Sequence, residues 1–556
     1  MFKNSLQHHL TGVDDMPYPP MMMESLRKLE ASRQRRLEQE IPLLTLDEKM
    51  KLLESCHPDY RPGIKAEIPL GANQGQPASK ELVELLASES MLSPETIDLS
   101  DVHHDVDVLV IGGGGGGATA ALFAKSAGAK VMISTKLRFG DSNTIMAEGG
   151  INACTSKGDS PVRHFIDTMG GGGFTNTPAM VRSLVEDSPL IIQWLEKLGV
   201  PFYKNKDGNF MKRHIAGGHT RPRGHAVGDY TGMSIMQILR DEVLNQEIDV
   251  IEHNPAIELV MDEGGRCAGA ICMNVDTRQM ILVKAKVVIL ATGGLGRIHV
   301  QGFPTTNHYG ATADGIVMAY RAGAGLLYID SIQFHPTGTC FPAQVIGLLV
   351  SETSRAKGAQ LVNVNGERFI NELETRDTVA SAIIREVSDR GNGIETPIGN
   401  HGIWLDTPVI DIRNDKGFIK NYFKHLHHRF AQYDIDFSKE PILVYPSQHY
   451  QNGGVVTDEF GRTTIPGLYV VGEAAGGVHG KNRLGGNSLT DIFVFGRRAG
   501  IDAGKIFSEV EVGKLTLAHV AEYNAKIRSN GLNTGKTSPL LFPDYRFEQA
   551  LPTYNQ

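Results

Sequence analysis

The residues best suited to chemistry fall in a few short clusters. Gly112, Gly114 and Gly117 are spaced Gly-x-Gly-x-x-Gly within a six-glycine run. Between a strand and a helix, that spacing serves a tight turn, a close backbone approach to a pyrophosphate, and close helix–strand packing. The free N–H groups and positive dipole at the helix start then hold phosphate. An acidic residue normally follows the second strand to bind a ribose; Thr135 and Lys136 stand there instead, so the glycine run alone leaves the dinucleotide open. Thr292-Gly293-Gly294 closes an apolar run at 287–291, and Gly472-Glu473 closes another at 468–471. Both turns put backbone, and the second a carboxylate, at a sheet edge where ligands sit. Singly, each is equally an ordinary core strand with its turn. Glu352 and Arg355, three residues apart, read in isolation as a helix-surface ion pair. His335 and His449 read in isolation as satisfied core histidines. His425, His427 and His428 read as a solvated face rather than a metal site, and no metal is expected.

These clusters need elements to position them. An apolar strand at 106–111, an Ala-rich helix at 118–127 and a strand at 131–134 form a βαβ unit, the start of a doubly wound α/β sheet. Further strands are expected at 250–252, 287–291 and 468–471. Residues 1–104 differ in texture: polar, rich in Glu, Lys, Arg and Met. They hold a charged helix over 23–39, a capping box Thr45-x-x-Glu48 opening a helix through Leu53, and a loop or extended arm over 61–78. Past residue 511 a short helix and then a loop are expected.

Bulk properties bound the function. A chain of 556 residues is too long for one core. A net charge of −8 opposes general nucleic-acid binding, which needs a concentrated basic face. Five scattered cysteines make neither a disulfide scaffold nor an iron–sulfur ligand set and fit a reducing, cytoplasmic compartment. The opening MFKNSLQHHL lacks the apolar core of a secretory signal, and no apolar run suggests a membrane span.

Three glycine-closed strands in this order resemble FAD-binding flavoproteins, and further motifs narrow the resemblance. Ser142-Asn143-Thr144 with Ala147-Glu148-Gly149-Gly150-Ile151, Gln333-Phe334-His335-Pro336-Thr337-Gly338, Ser351-Glu352-x-x-Arg355 and Thr375-Arg376-Asp377 are followed by His449-Tyr450-x-x-Gly453-Gly454 and Asn482-Arg483-Leu484-Gly485-Gly486-Asn487-Ser488-Leu489. Over residues 105–510 this series resembles the flavoprotein subunits of succinate dehydrogenases and fumarate reductases. The resemblance implies a doubly wound, Rossmann-like FAD domain over 105–334 and 448–510, interrupted by an α+β capping domain over 335–447. Residues 1–104, an N-terminal helical and extended appendage, have no counterpart in the pattern and are a candidate docking surface for a partner; 511–556 form a short helical tail.

The same resemblance assigns Gly112, Gly114, Gly117, Thr135, Lys136, Asn143, Thr144, Glu148, Gly149 and Gly150 to FAD, with Thr292, Gly293, Gly294, Asp314, Glu473, Ser488 and Leu489. It places His449 and Arg483 on one substrate carboxylate and His335 with the Ser351 hydroxyl on the other. Arg376 matches the proton donor, a role that needs a very strong carbanion base because arginine has a reference pKa above about 12. Glu352 and Arg355 match the relay that resupplies it. Members with covalently attached flavin carry histidine where this chain has Asn143, so FAD is expected to be noncovalent, which favours fumarate reduction over succinate oxidation. Lys357, Gln451 and Asn452 also depart from the pattern and bear on the proton path and the substrate. The implied reaction is reduction of fumarate to succinate, with electrons from an iron–sulfur or other redox partner. L-aspartate oxidation, reduction of another unsaturated acid, and an electron conduit without its own substrate are the alternatives.

Overall fold

The computed structural model describes residues 17–210 and 215–543. The segment Met1–Leu10, read above for a secretory signal, and the end of the tail lie outside them.

The chain begins with helix α1 (Pro20–Leu37) and helix α2 (Leu46–Cys56). The expected capping box forms: Thr45 Oγ1 accepts from the Glu48 amide at 3.3 Å, and the Thr45 amide donates to Glu48 Oε2 at 2.8 Å. Within the arm expected at 61–78, Lys65–Glu67 pairs antiparallel with Pro77–Ser79.

Six strands then build most of the large sheet: β1 (His104–Ile111), β2 (Val131–Ser134), β3 (Asp249–Ile251), β4 (Ala256–Asp262), β5 (Cys267–Met273) and β6 (Met280–Leu290). β3, β2, β1 and β6 run parallel side by side, and β5 and β4 extend the sheet antiparallel. Val108–Ile111 of β1 and Val131–Ile133 of β2 are unbroken apolar, buried stretches, the pattern of parallel strands covered on both faces. Helix α3 (Gly115–Ser126) follows β1 directly, so the glycine run sits where strand becomes helix.

A smaller sheet holds β7 (Ile332–Thr339), β8 (Gln360–Val362), β9 (His401–Asp406) and β10 (Ile442–Gln451), in the order β7-β10-β9-β8 and antiparallel throughout. Short helices α4 (Glu352–Ala356), α5 (Arg376–Ile384) and α6 (Lys424–Ala431) lie among these strands. The chain returns to the large sheet as β11 (Leu468–Val470), parallel to β6, and ends its main body with helix α7 (Asn487–Ile506). Gly496 and Gly500 let α7 approach the α3 backbone: an added Cβ would stand 2.6 Å from Gly116 O and 2.4 Å from Ala120 O.

The described part of residues 1–104 packs on its own chain. Trp404 Nε1 in β9 donates to Ser25 Oγ at 2.9 Å, and Arg33 and Arg36 of α1 grip the buried Asp406 carboxylate at 3.0 and 2.7 Å. Further along, Tyr320 hydroxyl donates to Leu70 O at 2.7 Å, tying the same extension to the helix at Asp314–Arg321. No helix among the described residues is long and apolar enough to cross a membrane.

Asp406 is fully buried, and Arg36 is its fully buried partner. Removing the shared carboxylate strands the buried Arg36 guanidinium, so Asp406→Ala is expected to cost about 3 kcal/mol. The readout is thermal unfolding of the full chain; a midpoint equal to the parent's would contradict the assignment.

Candidate functional site

The parallel strands end at one edge, and there a cavity of about 510 Å³ reaches from the glycine turn to the base of the small sheet. At the glycine end, Gly112 has φ +121°, and a Cβ on it would stand 2.2 Å from Ala291 O. Only glycine allows this turn, and the glycines that follow put no side chain over the start of α3, whose first amide donates to Thr144 Oγ1 at 3.2 Å. A Cβ on Gly117 would meet Gly112 O at 2.0 Å, so the third glycine brings helix against strand from behind the cavity wall. Thr135 and Lys136 line the same end. The Lys136 amine donates to Thr312 Oγ1 at 2.6 Å and pairs with Asp314 at 2.5 Å. Burial pushes the Asp314 carboxyl up, and Lys136 opposes that shift.

Further in, the wall becomes amides and one carboxylate. Asn143 Nδ2 donates to Asn307 Oδ1 at 2.7 Å and to Glu473 Oε2 at 3.3 Å, while Asn143 Oδ1 accepts from the His308 amide at 2.6 Å. Glu473 Oε1 accepts from the Gln451 amide at 3.0 Å, and burial holds this carboxyl up. Gly294 stands just behind, where a Cβ would come within 2.7 Å of that oxygen. Thr144, Glu148, Gly149, Gly150, Thr292, Gly293, Ser488 and Leu489 also line the cavity. A bare backbone cradle at one end and a polar amide wall at the other fit a long dinucleotide such as FAD.

The far end is cationic. β7 and β10 pair with Gln333 opposite Tyr450 and His335 opposite Ser447, which brings the His335 and His449 rings to 5.1 Å. His335 Nδ1 accepts from the Thr337 amide at 3.2 Å, so in the neutral ring Nε2 carries the hydrogen. That Nε2 is buried and unpartnered. Thr306 Oγ1 lies 2.6 Å from His449 Nδ1. Arg483 lies over the Tyr450 ring at 4.2 Å, and its Nε is buried and unpartnered. Arg376, first residue of α5, donates from Nε to Glu352 Oε2 at 2.7 Å. Ser351 caps α4 and lines the cavity with Glu352.

Burial and the crowd of cations shape the charges. Burial, with Arg376 and His449 alongside, pushes His335 well below the usual histidine range; burial, Arg376 and Arg483 do the same to His449. Burial and Arg376 bring Arg483 down to about 9. Burial pushes Glu352 up, but Arg376 and Arg355 outweigh it and hold the carboxyl at about 2. The site carries more positive charge than Glu352 neutralises, as a site for an anion would.

Three features differ from the sequence reading. Glu352 pairs with Arg376, and Arg355 turns away to donate from Nη1 to Glu372 O at 2.5 Å, so the i,i+3 pair that these two residues suggest in isolation is absent. Gln333 carries no signal of its own beyond its motif, yet its Oε1 accepts from Arg376 Nη1 at 3.1 Å and Arg483 Nη2 at 3.0 Å. His425 is not on a solvated face: it lines the cavity and sits 2.9 Å from Arg429 Nη2, which also donates to Glu148 Oε1 at 2.9 Å. The neighbouring His428 is exposed. At two of the departures noted above, Asn452 Oδ1 accepts from the Arg483 amide at 3.1 Å, and Lys357 lies over the Phe418 ring at 4.5 Å.

A family model described as FAD binding domain matches residues 107–489. A fumarate reductase (CoM/CoB) subunit of Methanothermobacter marburgensis is 39% identical over 412 residues, covering 72% of this chain and 73% of that protein. L-aspartate oxidase of Streptomyces coelicolor is 36% identical over 409 residues, covering 71% and 68%. Among solved structures, a variant of the E. coli quinol fumarate reductase FrdA superposes with a TM-score of 0.67 at 30% identity, over 77% of this chain and 74% of that one.

The Glu352 carboxyl is held at about 2 in the folded chain, against an ordinary glutamate value of about 4.3. Its stabilising contribution is therefore complete above the ordinary value and lost as pH falls toward the folded one. Glu352→Gln should show a shallower loss of thermal stability across that acid window; an unchanged acid limb would refute the Glu352–Arg376 pairing as its source.

Proposed function

The chain belongs to the FAD-binding family of fumarate reductase and succinate dehydrogenase flavoproteins and is an FAD-dependent oxidoreductase; on that premise we propose that it reduces fumarate to succinate. The observation that carries this reading is the pair Arg376 and Arg483, whose charge Glu352 alone does not neutralise, on one cavity wall with the neutral His335 and His449, where His335 Nε2 and Arg483 Nε lack partners. A small dianion supplies both the missing charge and the missing acceptors.

FAD, held by the glycine cradle, Lys136, Asn143 and Glu473, supplies the hydride when bound. This chain's residues do the rest. Arg483 and His449 hold one carboxylate of the substrate; His335 Nε2 and the Ser351 hydroxyl hold the other. As negative charge builds toward the carboxylate conjugated with the second alkene carbon, these fixed donors stabilise it more than they stabilise the substrate. Arg376 gives its proton to that carbon from Nη2, the nitrogen that neither Glu352 nor Gln333 occupies. A proton from solvent, taken up by the Glu352 carboxylate and passed to the neutral Arg376 guanidine, restores the donor and leaves Glu352 ionised again, and Arg355 acts on Glu352 by charge. Residues 335–447 cover the cleft between the two FAD-binding segments, 105–334 and 448–510, and exclude water from it. Electrons come from a redox partner protein.

Four relatives named L-aspartate oxidase, at 34–37% identity, favour one second reading. Aspartate also carries two carboxylates for the same clamp.

Under anaerobic conditions the FAD-loaded chain should oxidise reduced viologen rapidly and saturably on addition of fumarate. No oxidation, with FAD firmly bound, would overturn the reading; flavin reduction by L-aspartate in its place would establish the second. Arg376→Ala should lower turnover by roughly 10²–10⁴-fold with FAD retained, and near-parental turnover would remove the proton-donor role. Because Asn143 offers no ring nitrogen for a covalent bond, acid precipitation should release all the flavin; colour remaining on the polypeptide would contradict noncovalent binding.

A further inference from the structure

Resting on Arg376 as proton donor, we propose that the N-terminal segment around α2 is a positioning element for that arginine, with Lys49 and Glu374 as its positioning residues. The loop that leads into Arg376 is held along its length by this segment. Gln39 O accepts from Arg368 Nη1 at 2.5 Å, and Ile41 O accepts from Asn371 Nδ2 at 2.8 Å. Both oxygens of the buried Glu374 carboxylate are then occupied: the Leu44 amide donates to Oε1 at 2.6 Å, and Lys49 Nζ lies 2.7 Å from Oε2. Glu374 is two residues before Arg376, with only Thr375, the cap of α5, between them. Helix α2 packs directly against α5.

The hold reaches the proton partner as well. A Cβ on Gly217 would stand 2.5 Å from Glu374 O, so the two backbones are pressed together there. The Gly217 amide donates to Glu352 Oε1 at 3.0 Å, and Glu352 Oε2 is the acceptor for Arg376 Nε. From the inner side, Arg355 Nη1 donates to Glu372 O in the same loop. The loop is thus clamped between α4 and the N-terminal segment. Displacing Glu374 moves both ends of the Glu352–Arg376 bond at once.

Proton transfer is steep in distance, and misplacement by about 1 Å can cost roughly a hundredfold in rate. Neither Lys49 nor Glu374 lines the cavity, so their effect must pass through Arg376 and not through substrate binding.

The test uses the full-length, FAD-loaded chain with reduced viologen as donor and fumarate as acceptor. Lys49→Ala should lower kcat by roughly tenfold or more, with KM for fumarate and FAD content unchanged. The solvent deuterium isotope effect on kcat should rise as proton transfer becomes slower, and Lys49→Arg should restore most of the rate. Parental kcat and isotope effect in Lys49→Ala would overturn the proposal. Should that variant fail to retain FAD, the pair Lys49→Met with Glu374→Gln removes both charges together; it should show the same slowed proton step, and parental turnover in it would equally overturn the proposal. Arg376→Ala is measured alongside. Activity surviving in Arg376→Ala defeats the donor assignment, whereas an inactive Arg376→Ala beside a fully active Lys49→Ala defeats only the positioning role.

Discussion

Two guanidinium groups share one neutral oxygen at the centre of this molecule. Gln333 Oε1 accepts from Arg376 and from Arg483, while Gln333 Nε2 donates to Asn482 Oδ1 and Arg483 O. A glutamate there would hold the arginines as firmly but neutralise one of them. An amide fixes both without spending their charge, which stays available to an incoming anion. The arrangement depends on the pairing of β7 with β10, since that register sets Gln333 and His335 on one strand beside His449 on the other. Most of what surrounds the cavity serves to keep that pairing, and the excess charge it gathers, out of water.

Local features are legible in the sequence, and nonlocal ones are not. The capping box at Thr45 and Glu48, the βαβ unit around the glycine run, and the strands at 287–291 and 468–471 depend on residues near one another in the chain, and they form close to where the pattern puts them. The ion pair that Glu352 and Arg355 suggest when read in isolation does not form, for a physical reason. α4 is only five residues long, and Glu352 reaches Arg376, 24 positions away, with better geometry than it has toward its own helical neighbour. His425 escapes a sequence reading because amphipathic spacing says nothing of what a short helix packs against; here α6 meets Glu148 and Asp229 from the large domain. Gln333 is an uncharged residue inside a motif already explained by its histidine, so nothing in its type announces two arginines.

The extension has two faces of different character. Its polar texture suggests a surface for another protein, and its outer face does offer exposed apolar residues at Leu43, Leu46 and Met50. Its inner face, however, commits Arg33 and Arg36 to Asp406 and Lys49 to Glu374, both buried carboxylates of the small-sheet region. Charged residues in a sequence announce solvent only when no buried counter-charge awaits them.

The path of that extension sets how the molecule can deform. The small sheet joins the large domain through the two strands β7 and β10. The extension makes a third span, fastened to the small sheet by noncovalent contacts, with α1 held to β9, Asp59 receiving the Ile332 amide at the base of β7 at 3.0 Å, and Leu70 held to Tyr320. Elastic elements in parallel add their stiffness. Any excursion of the small sheet away from the large one must therefore twist three spans instead of two, and the amplitude of breathing at the cleft is set by the stiffest of them acting with the others.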